Sequence, residues 1–411
     1  MPELFNLLPP DEAIAVLLER IGGVRTGSET VLVSSALDRV TTKRCVSPAG
    51  LPAFARSAMD GYSVRAADTF GASDSMPAYL EVVGEIPMGK APQITLGPGQ
   101  VAVAYTGGML AGAADAVVMI EHTHSVGEAT IEVVRSVAPG ENVVQSDEDV
   151  RAGQDVVPQG HTMRPQDLGA LLAVGVTSIE VARRPRVAIV STGDELVEPA
   201  DEPGPGQVRD INTHTVAALV ERAGGAPVPL GIFPDDLEAQ RGAAREAVDC
   251  GDIVVFSAGS SVGSRDMTAR VLAELGGPGV LVHGISIKPG KPTIAGLVGD
   301  TPVFGLPGNP VSAMVVFNLI VRPVIRSLMG ASKPAASRVV PATLASNVPS
   351  APGRQDFFPV RLETGPGGLV AEPIFGKSNL IFTLVRADGL ASVSLDSGGL
   401  YAGDTVHVTT F

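Results

Sequence analysis

Residues 254–275 read VVFSAGSSVGSRDMTARVLAEL. The stretch opens as a buried strand, crosses a loop built from Ser, Ala, Gly and Val, and resumes as an amphipathic helix. From Ser257 to Ser264 the loop carries almost no side-chain bulk, and Asp266 follows it. A β-branched run that feeds a helix is the repeating unit of a parallel sheet covered on both faces. The same alternation extends outward on either side. RVAIVS (186–191), PVPLGI (227–232), DIVVF (252–256), VLVHGISI (280–287) and PVFGL (302–306) are strand patterns. They alternate with the helical patterns THTVAALVERA (213–223), DLEAQRGAAREAVD (236–249), MTARVLAEL (267–275) and PVSAMVVFNLIVRPVIRSLM (310–329).

In an open parallel sheet, ligands sit where strand carboxyl ends meet helix N-termini. A bare loop there lets backbone N–H groups approach a phosphate, and the helix dipole favours the negative charge. Such a loop also serves as an ordinary tight turn. Asp266 is either a helix cap or a Mg²⁺ ligand bridging to phosphate oxygens. STGDEL (191–196) brings Asp194 and Glu195 to a second strand end, where they are either solvated charges or part of the same cation site. IKPGKP (287–292) offers Lys288 and Lys291 in a stiff turn, and GLPGNPVSA (305–313) runs from a strand into the long helix. Rigid turns beside cations suit phosphate or oxyanion binding.

The flanking segments differ. Asp11 is expected to cap a helix with apolar residues Ala13, Ile14, Leu17, Leu18 and Ile21, stopped by Gly22 and Gly23. Short runs between about residues 30 and 145, YLEVVGEI, QVAVAY, AVVMI and TIEVV, predict a mostly β segment. PQDLGALLAVGV (165–176) predicts a short helix ended by Gly175, expected to pack with the N-terminal helix as one connecting unit. Beyond Gly330, DFFPVRLE, GLVAEPI, ASVSL and DTVHVTT predict a small β domain. His122 and His124 in EHTH have no third ligand in view, so they are read as strand-end polar residues.

At 411 residues the chain exceeds one hydrophobic core, and 45% hydrophobic against 18% charged residues is a globular balance. A formal net charge of −14 with no basic run argues against nucleic acid as a partner. Cys45 and Cys250 are the only cysteines and lie far apart, which excludes a CxxC metal site. MPELFNLLPPDEA does not read as a signal peptide. The apolar run VSAMVVFNLIV falls short of the roughly 20 residues that span a bilayer. A soluble cytoplasmic protein is expected.

STGDEL, SAGSSVGSRD (257–266), IKPGKP and GLPGNPVSA together resemble the MoeA family of bacterial molybdopterin molybdenumtransferases. SAMDGYSVR (57–65), TGGMLAGAADAVVMIE (106–121) and VRAGQDVVPQGHTM (150–163) resemble it as well, so the likeness covers nearly the whole chain. It implies a multidomain α/β protein. A helical linking domain (1–27 and 147–182) and a mostly β domain (28–146) precede a three-layer α/β molybdopterin-binding domain with a central parallel sheet (183–330). A C-terminal β-barrel-like domain (331–411) follows. The implied reaction is insertion of molybdenum from molybdate into adenylylated molybdopterin, with AMP released and Mg²⁺ required. The sulfurs that take the metal belong to the substrate, so two cysteines suffice.

The resemblance carries catalytic roles to Asp60, Thr106, Asp149, Glu195, Asp235, Asp266, Lys288 and Lys291. Glu195 and Asp266 would hold the Mg²⁺. Ser257, Gly259, Ser261, Gly263, Pro307, Gly308, Asn309, Pro310 and Ser378 would bind substrate. It also implies a homodimer with intersubunit active sites. The chain departs from the family pattern at Ala111 (usually Pro), Val144 (usually Arg), Asp147 (usually Gly), Ala258 (usually Gly) and Ser260 (usually Val). A cofactor-carrying paralogue and a molybdopterin adenylyltransferase are the alternatives. The second needs only the α/β domain.

Overall fold

The structure, a computed structural model, describes residues 7–258, 262–333 and 338–411, with the side chains of 258–267 outside the description. The helices run, in chain order, α1 (Pro10–Ile21), α2 (Pro165–Ala173), α3 (Asn212–Ala223), α4 (Leu237–Cys250), α5 (Val262–Leu275), α6 (Pro310–Val316) and α7 (Arg322–Leu328). A six-stranded sheet lies at the centre, in the order Ala226–Phe233, Arg186–Thr192, Ile253–Ala258, Thr301–Leu306, Ile294–Val298, Pro278–His283. The first four pair in parallel, and Ile294–Val298 runs antiparallel to both its neighbours. That strand goes unmarked in the sequence reading. It is a buried apolar segment joined to the next strand by the tight turn at Gly299 and Asp300, with no helix between them.

Both faces of the sheet are covered, which is why its strands read as unbroken apolar runs rather than alternating ones. Val187, Ile189, Ile253 and Val255 belong to one core with α3, α6 and α7, while Ala188, Val190, Val254 and Phe256 face α4 and α5. Each large side chain so buried contributes about 1.5–3 kcal/mol.

α6 and α7 form one continuous helix through a π-helical turn, Phe317–Val321. Pro323 has no N–H to give the carbonyl four residues back, and its ring would crowd that carbonyl. The widened turn lies just where that strain must be absorbed. Pro310–Leu328 is long and apolar enough to cross a membrane, contrary to the expectation from VSAMVVFNLIV alone. Its apolar residues are spent in the protein core: Val316, Phe317, Ile320, Val321, Val324 and Ile325 are all fully buried.

α1 departs from expectation in two ways. It starts at Pro10 with Asp11 in the first turn and no side-chain cap. Its buried face, Ala13, Leu17 and Ile21, packs into the core shared by α3 and the α6–α7 helix rather than against α2. α2 packs with Val33, Ala36, Val157, Met163, Ile179 and Val181 in a separate small core. Two antiparallel strands, Ser28–Leu32 and Ser178–Ala182, tie the chain together there. α2 is fixed at its start by the Asp167 carboxylate, which accepts from Arg164 N–H (2.8 Å) and from the Arg164 guanidinium (3.0 and 2.9 Å), and Gly175 follows the helix at φ 81.

Residues 61–133 form a second six-stranded sheet, in the order Ala116–Met119, Gly61–Val64, Gln100–Ala104, Ala78–Glu85, Thr130–Val133, Thr123–Ser125. His122 Nε2 lies 3.1 Å from Arg135 Nη1, which accounts for that residue without a metal. Asp147 adopts φ 63, a conformation that suits glycine and that Asp tolerates better than most residues. Ala111 donates a long backbone hydrogen bond to Ser63 Oγ (3.4 Å), which proline could not do.

The C-terminal segment closes on itself. Gln355–Gly365 pairs with Gly368–Pro373 on one side and with Gly389–Val393 on the other. Val339–Leu344 and Thr405–Thr410 complete the ring, a closed β-barrel.

Candidate functional site

At the carboxyl ends of the parallel strands lies a cavity of about 290 Å³, lined among others by Glu195, Arg209, Asn212, Ser257, Asn309 and Asn379. Glu195 is carried by a turn that leaves the Arg186–Thr192 strand. Leu196 N–H bonds back to Gly193 O (3.1 Å), and Val208 N–H bonds to Glu195 O (2.8 Å). Gly193 has φ 154, and a β-carbon there would lie 2.7 Å from Glu195 Oε2. The glycine therefore lets the carboxylate fold over the turn.

Asn212 opens α3 and ties the helix to two strand ends. Its Nδ2 donates to Ser257 Oγ (2.9 Å) and to Gly308 O (2.8 Å). Its Oδ1 is buried with no hydrogen-bond partner among the described residues. The helix start is locked from beneath: Thr213 N–H and Oγ1–H donate to Asp210 (3.1 and 2.6 Å), and Ser191 Oγ lies 2.8 Å from Thr213 Oγ1. Asn309 Nδ2 donates to Ser378 Oγ (3.0 Å), and Val311 N–H donates to Ser378 O (3.1 Å), which draws the C-terminal segment to the cavity.

The two bonds of Asn212 bridge a helix to two loops, so Asn212→Ala should lower folding stability by about 2 kcal/mol. Urea denaturation with an unchanged m-value measures this. An unaltered midpoint would mean that the bridge contributes nothing.

Glu195, Ser257, Gly308, Asn309 and Pro310, all foreseen from the sequence, line this one cavity. Pro307 is buried at the end of the Thr301–Leu306 strand. Asp235 stands beside the cavity, with its N–H on Asp194 Oδ1 (3.1 Å) and its Oδ1 accepting from Gln240 Nε2 (3.4 Å). Burial pushes its carboxyl above the usual range, helped by the charges of Glu195 and Asp194. Gly259 and Ser261 lie outside the described residues. The same holds for the Asp266 side chain, although the backbone carries Gly263 and Asp266 within α5. Because α5 begins at Val262 rather than near Met267, Asp266 is inside the helix and is not its cap.

The other foreseen residues do not line the cavity. Lys288 Nζ is 3.6 Å from Asp356 Oδ2 on the barrel, where Arg354 Nε also binds at 2.8 Å. Lys291 is exposed in the same turn, and its carbonyl accepts from Ile285 N–H and Thr293 N–H (both 3.0 Å). Gly290 between them has φ 113, and a β-carbon there would meet Val316 Cγ2 at 2.6 Å. Asp60 and Thr106 meet each other on the second sheet: Asp60 Oδ1 accepts from both Thr106 N–H and Thr106 Oγ1 (2.8 Å each). These bonds hold the exposed Asp60 carboxyl below its ordinary range, hence ionised. Asp149 is exposed, and its N–H bonds to Leu51 O (3.0 Å).

Arg209, Asn212 and Asn379 went unnoticed in the sequence. The signal for Asn212 was its place: an amide directly after a short acidic turn, at the start of a helix behind a parallel strand.

Among the described residues no three His, Cys, Asp or Glu side chains converge on a metal position. Mg²⁺ does not require such a cage. It is usually held by one or two carboxylates together with waters and substrate phosphates, and Glu195 beside the acidic Asp194 and Asp235 is a hard oxygen donor suited to it.

Three family models match the chain. The MoeA N-terminal region (domain I and II) matches residues 8–175, a probable molybdopterin binding domain matches 188–327, and the MoeA C-terminal region (domain IV) matches 341–411. Molybdopterin molybdenumtransferase 2 of Mycobacterium tuberculosis is 35% identical over 387 residues, covering 92% of this chain and 94% of that protein. Molybdopterin molybdenumtransferase of Bacillus subtilis is 31% identical over 407 residues, covering 98% of this chain and 93% of that protein. The crystal structure of a molybdopterin biosynthesis moeA protein from Pyrococcus horikoshii OT3 matches with a TM-score of 0.85 at 32% identity, covering 99% of this chain and 100% of that one.

Proposed function

From the premise that this chain belongs to the MoeA family of molybdenum cofactor biosynthesis, we propose that it is a molybdopterin molybdenumtransferase acting on adenylylated molybdopterin. It inserts molybdenum from molybdate into the pterin dithiolene and releases AMP, with Mg²⁺ required. The observation that carries this reading is the cavity at the strand ends, lined except for Asn379 by the stretch that matches the molybdopterin binding domain. It combines an acid for a cation, an arginine, and amide and hydroxyl groups that suit a polar, phosphorylated ligand.

In this reading Glu195 and Asp266 hold Mg²⁺ against the phosphates, and the ion supplies charge neutralisation there. Asn212 keeps Ser257 and the Gly308 loop in one arrangement and leaves its Oδ1 as an acceptor for substrate. Ser378 and Asn309 fasten the floor. Gly259, Ser261, Gly263, Pro307 and Pro310 take the phosphates, and Lys288 and Lys291 attract the oxyanion. Asp60 and Thr106 border the second sheet and Asp149 follows it in the chain, and none of the three lines this cavity in its own chain. A homodimer with sites shared between subunits would bring them in. The division at 1–27 with 147–182, 28–146, 183–330 and 331–411 belongs to the same proposal, amended by the burial of α1 in the α/β core. So does a cytoplasmic place of action.

The test is to mix protein, adenylylated molybdopterin, molybdate and Mg²⁺ and to follow AMP. Molybdate-dependent AMP release is expected. Tight pterin binding without release would overturn the enzyme reading and leave a carrier. Formation of adenylylated pterin from ATP would leave the adenylyltransferase.

Lys291→Met should raise the molybdate concentration for half-maximal AMP release by on the order of tenfold, because a point charge on the oxyanion is lost. Molybdate titration at fixed pterin reads this. An unchanged requirement returns Lys291 to the solvated surface.

A further inference from the structure

A second cavity, of about 620 Å³, opens at the opposite end of α3. Asn212 at the first turn of that helix lines the candidate site, and Arg222 in its last turn lines this second cavity. Both residues lie on this one 12-residue helix, about 15 Å apart along it. The walls come from residues 37–39, the 160–164 loop, the last turns of α3 and α7, Arg184 before the sheet, and Ser332 with Lys333.

The wall is basic on balance in a chain of net charge −14: Asp38 and Glu221 line it, against Arg184, Arg222, Arg326 and Lys333 and the carboxylate-paired Arg39 and Arg164. Arg326 is only 8% exposed. It donates to Thr162 Oγ1, and its Nε is buried with no hydrogen-bond partner among the described residues. No carboxylate pairs with it among the described residues. Asp38 is close enough to act on it only through space, and burial pushes the guanidinium below its ordinary range. Arg184, Arg222 and Lys333 are exposed at the mouth, and no carboxylate bridges to them among the described residues. The helix dipole explains part of this, since a cation in a last turn gains about 0.3–1 kcal/mol. Burying an unpaired guanidinium costs several kcal/mol, so the dipole alone does not explain Arg326. An anion in the cavity would.

We infer that this second cavity binds a phosphate group, with Arg326 at its floor and Arg184, Arg222 and Lys333 at its mouth. Planar guanidinium groups match phosphate oxygens in paired hydrogen bonds. The volume lies in the range of small-molecule sites, about 300–1,000 Å³, larger than a bare phosphate fills. Free phosphate and a small phosphorylated metabolite share this chemistry.

Calorimetric titration of the full chain with inorganic phosphate and with ribose 5-phosphate, at matched chloride ionic strength, tests it. Saturable binding is expected, weakened about tenfold or more in Arg184→Gln/Arg222→Gln, since each charge-assisted bond is worth about 1.5–3 kcal/mol. The same binding should be unchanged in Lys288→Met/Lys291→Met, which separates it from any phosphate held at the strand-end site. Arg326→Met should abolish it. If that variant does not fold, the mouth variant still decides. Tighter binding of ribose 5-phosphate identifies a carried phosphate and equal binding a free one, and either supports the site. Absence of saturable binding, or equal affinity in the mouth variant and the parent, would overturn it.

Discussion

Glu195→Gln should reduce AMP release from adenylylated molybdopterin by on the order of a thousandfold, since a carboxylate that helps hold a catalytic cation accounts for several kcal/mol of transition-state stabilisation. The substitution keeps the shape of the side chain and removes its charge. A second readout needs no substrate. Burial, then Glu195, then Asp194 raise the Asp235 carboxyl above its ordinary range. Removing the Glu195 charge makes ionisation of Asp235 easier, so its pKa should fall, which carboxyl NMR titration follows. Full activity with a lowered Asp235 pKa would show that Glu195 is a neighbour of the chemistry and takes no part in it.

Mixed dimers carry the second large effect. Asp60 and Thr106 stand on a sheet that contributes nothing to the strand-end cavity of their own chain. If two copies share their sites, Asp60→Asn and Asp266→Asn homodimers are both dead. A heterodimer then has one site with both lesions and one with neither, so about half its sites work, as two-fold symmetry requires. Co-refolding the two variants and assaying AMP release should recover activity from inactive parents. If heterodimers form and the mixture stays inactive, Asp60 acts within its own chain or not at all.

The sheet was legible because its strands are buried on both faces: VAIV (187–190) and IVVF (253–256) leave no polar position to confuse the period. Ile294–Val298 escaped because a tight turn, not a helix, joins it to the next strand, and the βαβ pattern gives no cue for that. Position in the fold also separated two kinds of site residue. Glu195, Ser257 and Asn309 end parallel strands or begin helices, so the rule about strand ends found them. Asn212 acts by bridging Ser257 and Gly308, partners 45 and 96 residues away. No local pattern encodes a bond of that span. The packing of α1 was misjudged for the same reason. Its apolar stripe shows that it must be covered, and only the tertiary structure shows by what.

That packing has a consequence for how the chain is made. α1 leaves the ribosome about 300 residues ahead of the helical surface that buries Leu17 and Ile21, which ends at Leu328. At ordinary synthesis rates of about 5–20 residues per second, α1 waits roughly 15–60 s for its partner to be translated. Through that interval its apolar stripe lacks much of its native cover. A helix made early is thus covered late, and completion of the α/β core is tied to translation through Leu328.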